Sequence, residues 1–384
     1  MIDVLTRNAV DVLPAGGLEE KLKLGRPLRV KLGIDVTSPD IHVGRGIPLQ
    51  RMRAFQDAGH LGVLIVGDYT TRIGDPSGRS AERPILTAEE IDRDAQTYVE
   101  QAFQIVDPAR TEVRFNSEWL AGLDFAEILR LTRTTTVAQL LERDDFSKRF
   151  GAGEPISVSE LLYPLMQAYD SVAIEADVEL GGTDQLYNLL TGRAVMEAYG
   201  LEPQVVLTTP LLLSWDGAKM SSSVGNNIPL TAPPEEQFGR TMRLPDDQLA
   251  DWYRLVLERP LPDGEPMEAK LALARAIVAR SHGEEAASGA EAHFTRVVRE
   301  GQAPEDVRKS RLPDGDPVHL PALIASEFGL STSEARRLLS QGGVKLGGEV
   351  VTDLDVPRSR LDGATLQAGK RRFVEYPQNG LTEP

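Results

Sequence analysis

The 384-residue chain contains no cysteine. That excludes disulfides, zinc–cysteine sites and thiol nucleophiles. Histidine is scarce too. The five are His42, His60, His282, His293 and His319, and none has a partner at metal-ligand spacing, so no metal site is expected. No apolar run approaches the length of a membrane span. The opening MIDVLTRNAV lacks a basic region leading into an apolar core, so no secretory signal is expected. Without export signals or disulfides, the expected compartment is the cytoplasm. Positive charge is in deficit: the net charge is −16, which argues against nucleic-acid binding over the chain as a whole. A sum hides local patches, however. Arg336, Arg337, Lys345, Arg358, Arg360, Lys370, Arg371 and Arg372 enrich the last fifty residues, and RNA contact is expected there.

The common phosphate motifs are missing as well. After Gly44 and Gly46 no third glycine falls at the dinucleotide-fingerprint spacing. GDPSGRS (74–80) is too short for a P-loop and has arginine in place of the lysine. A nucleotide held by this chain needs another geometry.

What is present is a crossover unit. PLRVKLGI, with Asp35 just beyond, reads as a buried strand, residues 46–59 as a helix and LGVLIVG as a second strand. Strand, helix, strand over about forty residues makes a right-handed unit of a parallel sheet. The turn PDIHVGRGIP therefore lies at the carboxyl edge, where open sheets bind ligands. Pro48 sits in the first helical turn, where its missing N–H costs nothing. Residues 87–106, 158–172 and 184–199 read as helices, IEADVEL and PQVVLTTPLLL as strands, and 232–300 as mainly helical. A Pro/Gly/Asp-rich link, RLPDGDP (311–317), precedes a helix pair and short strands. The expected class is α/β. It comprises a Rossmann-like parallel-sheet catalytic domain (1–230), a helical domain (231–312) and a small α+β RNA-binding module (317–378).

A second stretch, DGAKMSSSVGNN (216–227), follows a strand and has the composition of a mobile loop. A lysine there can reach a polyphosphate as a point charge, with serine hydroxyls and backbone N–H groups assisting. Tyr163, Gln167 and Asp170 fall at i, i+4 and i+7, on one helical face, and two of the three are too polar for a simple core stripe.

An H-x-G-x turn at the first crossover together with a K-M-S-x-S loop resembles the double signature of class I aminoacyl-tRNA synthetases. KLGIDVTSPDIHVGR, GDYTTRIGDPSGRSAERP, NSEWL, LLYPLMQAYDSVAIEADVELGGTDQ and KMSSS resemble, in order, the bacterial tyrosyl-tRNA synthetases nearly end to end. The C-terminal module resembles an RNA-binding fold shared with a ribosomal protein, and the resemblance implies that the helical domain, 231–312, binds the anticodon.

The resemblance implies roles for particular residues. His42, Arg45, Lys219, Ser222 and Ser223 would act on the ATP phosphates, with Ser221 shaping the loop. Gly33, Asp35, Thr37, Gly182, Asp184, Arg79 and Arg83 would hold ATP and the adenylate. Asp75, Tyr163, Gln167, Gln185 and Asn116 would surround the amino acid, with Asp170 facing its phenolic hydroxyl. Each position also has a plainer reading: His42 and Asp184 as helix caps, Asp35 as a turn residue, Arg79 and Arg83 as solvated charge. The substrates would be L-tyrosine, ATP with Mg²⁺, and tRNA(Tyr), and the protein a homodimer without membrane contact.

Two positions depart from the signatures. Arg45 stands where histidine or asparagine is usual, and Ser222 where the second loop lysine is usual. Together they move positive charge from the late loop to the early turn. Arg45 then either contacts phosphate or crowds the ribose. Lys31 marks a subgroup. The activity implied is tyrosine–tRNA ligation. The alternatives are a paralogue that activates tyrosine or an analogue for a specialised pathway or as a resistant copy, and a non-catalytic RNA-binding relative.

Overall fold

The computed structural model describes residues 1–36, 39–75, 87–222, 224–300, 302–304, 307–369 and 372–377. Thr37, Arg79, Arg83, Ser223, Lys370 and Arg371 lie outside the described residues. The chain forms two compact units. One comprises Met1–Pro233 with Arg240–Leu273, the other Pro234–Gly239 with Ala274–Pro384.

The first unit is built on six strands: β1 (Asp11–Leu13), β2 (Arg29–Ile34), β3 (Leu61–Val66), β4 (Thr111–Phe115), β5 (Val178–Gly182) and β6 (Val205–Thr209). They lie in the order β1-β6-β5-β2-β3-β4, and only the β1 edge strand is antiparallel. β3 is apolar, β6 runs from three apolar residues into two threonines, and both are buried nearly throughout, as strands covered on both faces are. Four helices matter for the site: α1 (Val43–Asp57), α2 (Ala88–Ala102), α3 (Val158–Ala173) and α4 (Leu186–Ala198). α1 presents Leu49, Met52 and Phe55 to a core shared with Val30, Leu32, Leu64 and Leu207.

Strand order reverses between β2 and β5. β2 pairs with β3 along its whole length, from Arg29–Leu61 to Ile34–Val66. With β5 it pairs only at Val30–Val178 and Lys31–Glu179. Beyond that point the carboxyl ends of β2 and β5 part, and the gap between them is where such sheets bind ligands.

Several boundaries differ from the sequence expectation for identifiable reasons. α1 starts three residues early because the His42 ring caps it. The strand expected over PQVVLTTPLLL stops at Thr209, ahead of Pro210, which has no N–H for the ladder. The expected strand IEADVEL begins only at Val178, because Ile174 still caps α3 and Ala176 donates back to Ser171.

In the second unit, helical residues 266–294 are broken at Gly283, whose φ of 87° is left-handed. The C-terminal part carries helices Leu320–Phe328 and Thr332–Ser340, the latter closed by a Ser331/Glu334 capping box. A four-stranded sheet of Arg372–Glu375, Thr365–Ala368, Val344–Leu346 and Glu349–Val350 joins them. Leu320, Ile324, Leu339, Val344, Leu366 and Val374 form their own buried core.

Candidate active site

The turn before α1 is fixed from several sides. His42 takes the N-cap position, and its ring Nδ1 accepts the Arg45 backbone N–H at 3.3 Å. An accepting Nδ1 places the ring proton on Nε2. The ring is buried, and its pKa is lowered to about 3, first by burial and then by the Arg45 and Lys219 cations. His42 is therefore a neutral hydrogen-bond donor at any working pH. A Cβ on Gly44 would come within 3.2 Å of the ring. Gln101 on α2 accepts the Ile41 N–H at 2.7 Å and donates to the Pro39 carbonyl at 2.8 Å. Val43 donates to Ile228 at 2.9 Å. The capping reading of His42 holds, and its Nε2 is left as the ring's donor.

The parted strand ends form a cleft. Gly33, at the end of β2, is exposed, and a Cβ there would meet nothing within 4 Å. Beyond it, Asp35 accepts from Thr70 Oγ1 and from the Tyr163 hydroxyl, both at 2.7 Å. Burial pushes the Asp35 carboxyl up to about 6 against these two hydrogen bonds. Tyr163 is raised well above its ordinary value, by burial and then by Asp35 and Asp75. On the β5 side, Asp184 lies in a 3-10 turn (Thr183–Gln185) and does not cap the helix that follows. It pairs instead with Lys219. A Cβ on Gly182 would meet Asp184 Oδ1 at 2.6 Å and Leu211 at 2.8 Å.

The lysine loop is held by a buried side chain. Asn226 donates to both Asp216 carboxylate oxygens, at 3.1 and 2.9 Å, and to the Lys219 carbonyl at 3.2 Å, and accepts the Ser221 N–H at 2.8 Å. Asn227 donates to Ser222 Oγ at 3.1 Å. Leu213 and Lys219 form an antiparallel bridge beneath.

α3 lines a polar well. Asp170 is buried, accepts Trp119 Nε1–H at 2.8 Å and is hydrogen-bonded by Asn116. Burial raises it to about 7, while the Lys31 ammonium, Trp119 and Asn116 pull it down. Lys31 and Glu179, both fully buried, pair at 2.8 Å, and Lys31 also donates to Ser171 Oγ and the Gln167 carbonyl. Asn116 donates to Thr70 Oγ1 at 3.0 Å. Asn188 donates to Gln167 at 3.1 Å and to Gln185 at 3.0 Å, and Gln185 donates to Asp75 at 2.7 Å. The buried Arg143 contacts Asn188 at 3.1 Å and Asp75 at 3.5 Å.

The described candidates thus gather at one sheet edge: His42, Arg45, Gly33, Asp35, Gly182, Asp184, Lys219 and Ser222 around the cleft, and Asp75, Tyr163, Gln167, Asp170, Gln185 and Asn116 in the well. Sequence reasoning passed over Trp119, Tyr98, Arg143, Asn188 and the pairing of Lys31 with Glu179. Trp119 sits in the NSEWL run and Tyr98 lies three residues before Gln101, but Arg143 and Asn188 carry no local signal. The site can hold a cation and a carboxylate in the well, and an anion against a neutral histidine and two cations.

Comparison with known proteins agrees with this arrangement. Residues 23–299 match the family of class I tRNA synthetases (W and Y), and residues 320–357 match the S4 domain. The chain belongs to the class I tRNA synthetases of the W and Y family. It is 48% identical to a tyrosine–tRNA ligase of Moorella thermoacetica, over 97% of this chain and 94% of that one. It is 46% identical to a tyrosine–tRNA ligase of Thermotoga maritima, over 97% and 96%. Its fold is shared with a tyrosyl-tRNA synthetase of Archaeoglobus fulgidus solved with L-tyrosine (TM-score 0.62, 24% identity, 76% of this chain and 98% of that one).

Proposed function

We propose that the protein is a tyrosine–tRNA ligase that activates L-tyrosine with ATP and transfers it to the 3′ end of tRNA(Tyr). The observation that carries this is the joining of two sites through one pair of residues. Tyr163 lines the well with Asp170 and donates to Asp35, which stands at the mouth of the phosphate cleft.

In the first step a tyrosine carboxylate oxygen attacks the α-phosphorus of ATP, and the bond from that phosphorus to the α,β-bridging oxygen breaks. Pyrophosphate leaves with the electron pair. No protein nucleophile is needed, so catalysis rests on position and on charge stabilisation. Asp75 and Gln185 hold the ammonium and orient the carboxylate. Asp184, with Gly182 leaving backbone room, takes the ribose hydroxyls. His42 donates from Nε2 to phosphate oxygen without titrating. Arg45 and Lys219 neutralise charge gathering on the leaving group. Mg²⁺ enters with ATP as part of the substrate. A terminal ribose hydroxyl of the tRNA then attacks the adenylate carbonyl and AMP leaves.

Asp170 accepts the phenolic hydroxyl. Phenylalanine would bring no donor to that buried carboxylate while still shutting out water, a penalty for which this enzyme class is itself the standard illustration, at roughly 10⁴–10⁵. Residues 231–312 and 317–378 take the tRNA, and two chains associate so that tRNA spans both. The protein works in the cytoplasm.

The test is tyrosine-dependent ATP–pyrophosphate exchange, followed by charging of tRNA(Tyr). Exchange with tyrosine and not with phenylalanine is expected. Exchange that ignores the hydroxyl would remove Asp170 from its role. Exchange without charging would make the protein an activating relative only.

A further inference from the structure

We propose that Tyr98 of α2 is a positioning residue for catalysis: it aims the Arg45 guanidinium at the phosphates of ATP. The inference rests on the ligase reading above.

The geometry comes from two helices. Arg45 leaves the first turn of α1, half-buried, and donates from a terminal guanidinium nitrogen to the Tyr98 hydroxyl at 3.2 Å. The same guanidinium lies over the Tyr98 ring, 5.7 Å from its centroid. Tyr98 is 1% exposed, so its ring cannot swing away and the hydroxyl is a fixed post. Three residues on, Gln101 holds Pro39 and Ile41 from the same helix face. α2 thus grips the phosphate turn at both ends, by backbone through Gln101 and by side chain through Tyr98.

A long arginine free in a cleft would not wait for phosphate. Asp35 and Asp184 both act electrostatically on Arg45 from the opposite strand ends. Either carboxylate would compete for it as an ion-pair partner. The Tyr98 contact uses one edge of a planar fork and leaves its other donors, fixed in the same plane, for an anion. An aromatic face adds attraction without neutralising the charge. Tyr98 therefore keeps the extra cation of this chain's early turn on the phosphate side of the cleft, away from both acids.

Tyr98→Phe keeps the ring and removes only the oxygen. Losing one hydrogen bond to a charged group predicts a fall of about tenfold in the exchange rate constant, with tyrosine KM unchanged. Arg45→Ala should fall further. The deciding measurement is the double variant: adding Tyr98→Phe to Arg45→Ala should change nothing more. A Tyr98 that merely packs would slow both backgrounds by the same factor, and that result overturns the proposal, as does full activity of Tyr98→Phe alone. The same cycle read as preference for ATP over adenosine in equilibrium binding needs no turnover. Absence of exchange in the parent protein would therefore sink the ligase reading while the binding cycle still decides Tyr98.

Discussion

Asp170 concentrates the cost of the site in a single side chain. An ionised carboxylate at 3% exposure must replace its water with fixed donors. Trp119 and Asn116 supply two, and Lys31 supplies a field, yet the carboxyl remains raised to about 7. Its ordinary value, 3.8, applies when the chain is unfolded. A raised folded value means that stability is fully present below about 4 and is lost as pH rises through 7. At pH 8 the burden is on the order of 4 kcal/mol. Asp170→Asn should therefore raise the melting temperature at pH 8, with a gain that shrinks as the pH is lowered toward 4. The same variant should lose discrimination between tyrosine and phenylalanine. Thermal melts at the two ends of this range check it. A loss of stability at pH 8 would mean that the hydrogen bonds to the charged form outweigh its desolvation.

At the scale of elements, the site is made by strand ends that part and by the glycines left in the gap. Gly33 has open space where a side chain would go, and Gly182 has none to spare. Gly182→Ala would drive Asp184 from its place without touching the amino-acid well. ATP KM is expected to rise about tenfold, the worth of one good hydrogen bond, with tyrosine KM unchanged. Steady-state kinetics with each substrate varied in turn would show it, and a matching rise in tyrosine KM would show instead that β5 itself had shifted.

Elements also explain what the sequence could disclose. Short, largely apolar runs exposed β2 and β3, the 3.6-residue period exposed α1, and the i, i+4, i+7 spacing alone was enough to put Tyr163, Gln167 and Asp170 on one face. Short signatures exposed His42 and Lys219. Contacts between distant segments had no such period. Arg143 meets Asp75 and Asn188 across 68 and 45 residues of chain. Tyr98 reaches Arg45 across 53. Nothing in the spacing of those residues marks them, because only the packing of α2, α3 and α4 around the sheet brings them together. The early start of α1 was hidden differently: a histidine ring does the capping that serine, threonine, aspartate or asparagine usually does.

At the scale of the whole molecule, charge is unevenly shared. Residues 317–378 hold eight lysines and arginines against seven acids, so the deficit of −16 lies wholly in the rest of the chain. Self-repulsion between an acidic body and a polyanionic RNA confines productive contact to the segments where basic residues collect. Two reactions of one protein should then answer differently to salt. The cleft proposed for amino-acid activation has partly buried carboxylates and cations, where screening is weak. Transfer to tRNA depends on phosphate contacts that release counterions, so its affinity term falls steeply with salt. Between about 50 and 200 mM salt, kcat/KM for tRNA is expected to drop at least tenfold while pyrophosphate exchange holds within about twofold. Parallel salt titrations of charging and exchange decide it. Equal slopes would mean that tRNA is held by shape and base contacts rather than by the basic residues of the C-terminal module, and would turn attention from Arg336, Arg337 and Arg358 to uncharged surface.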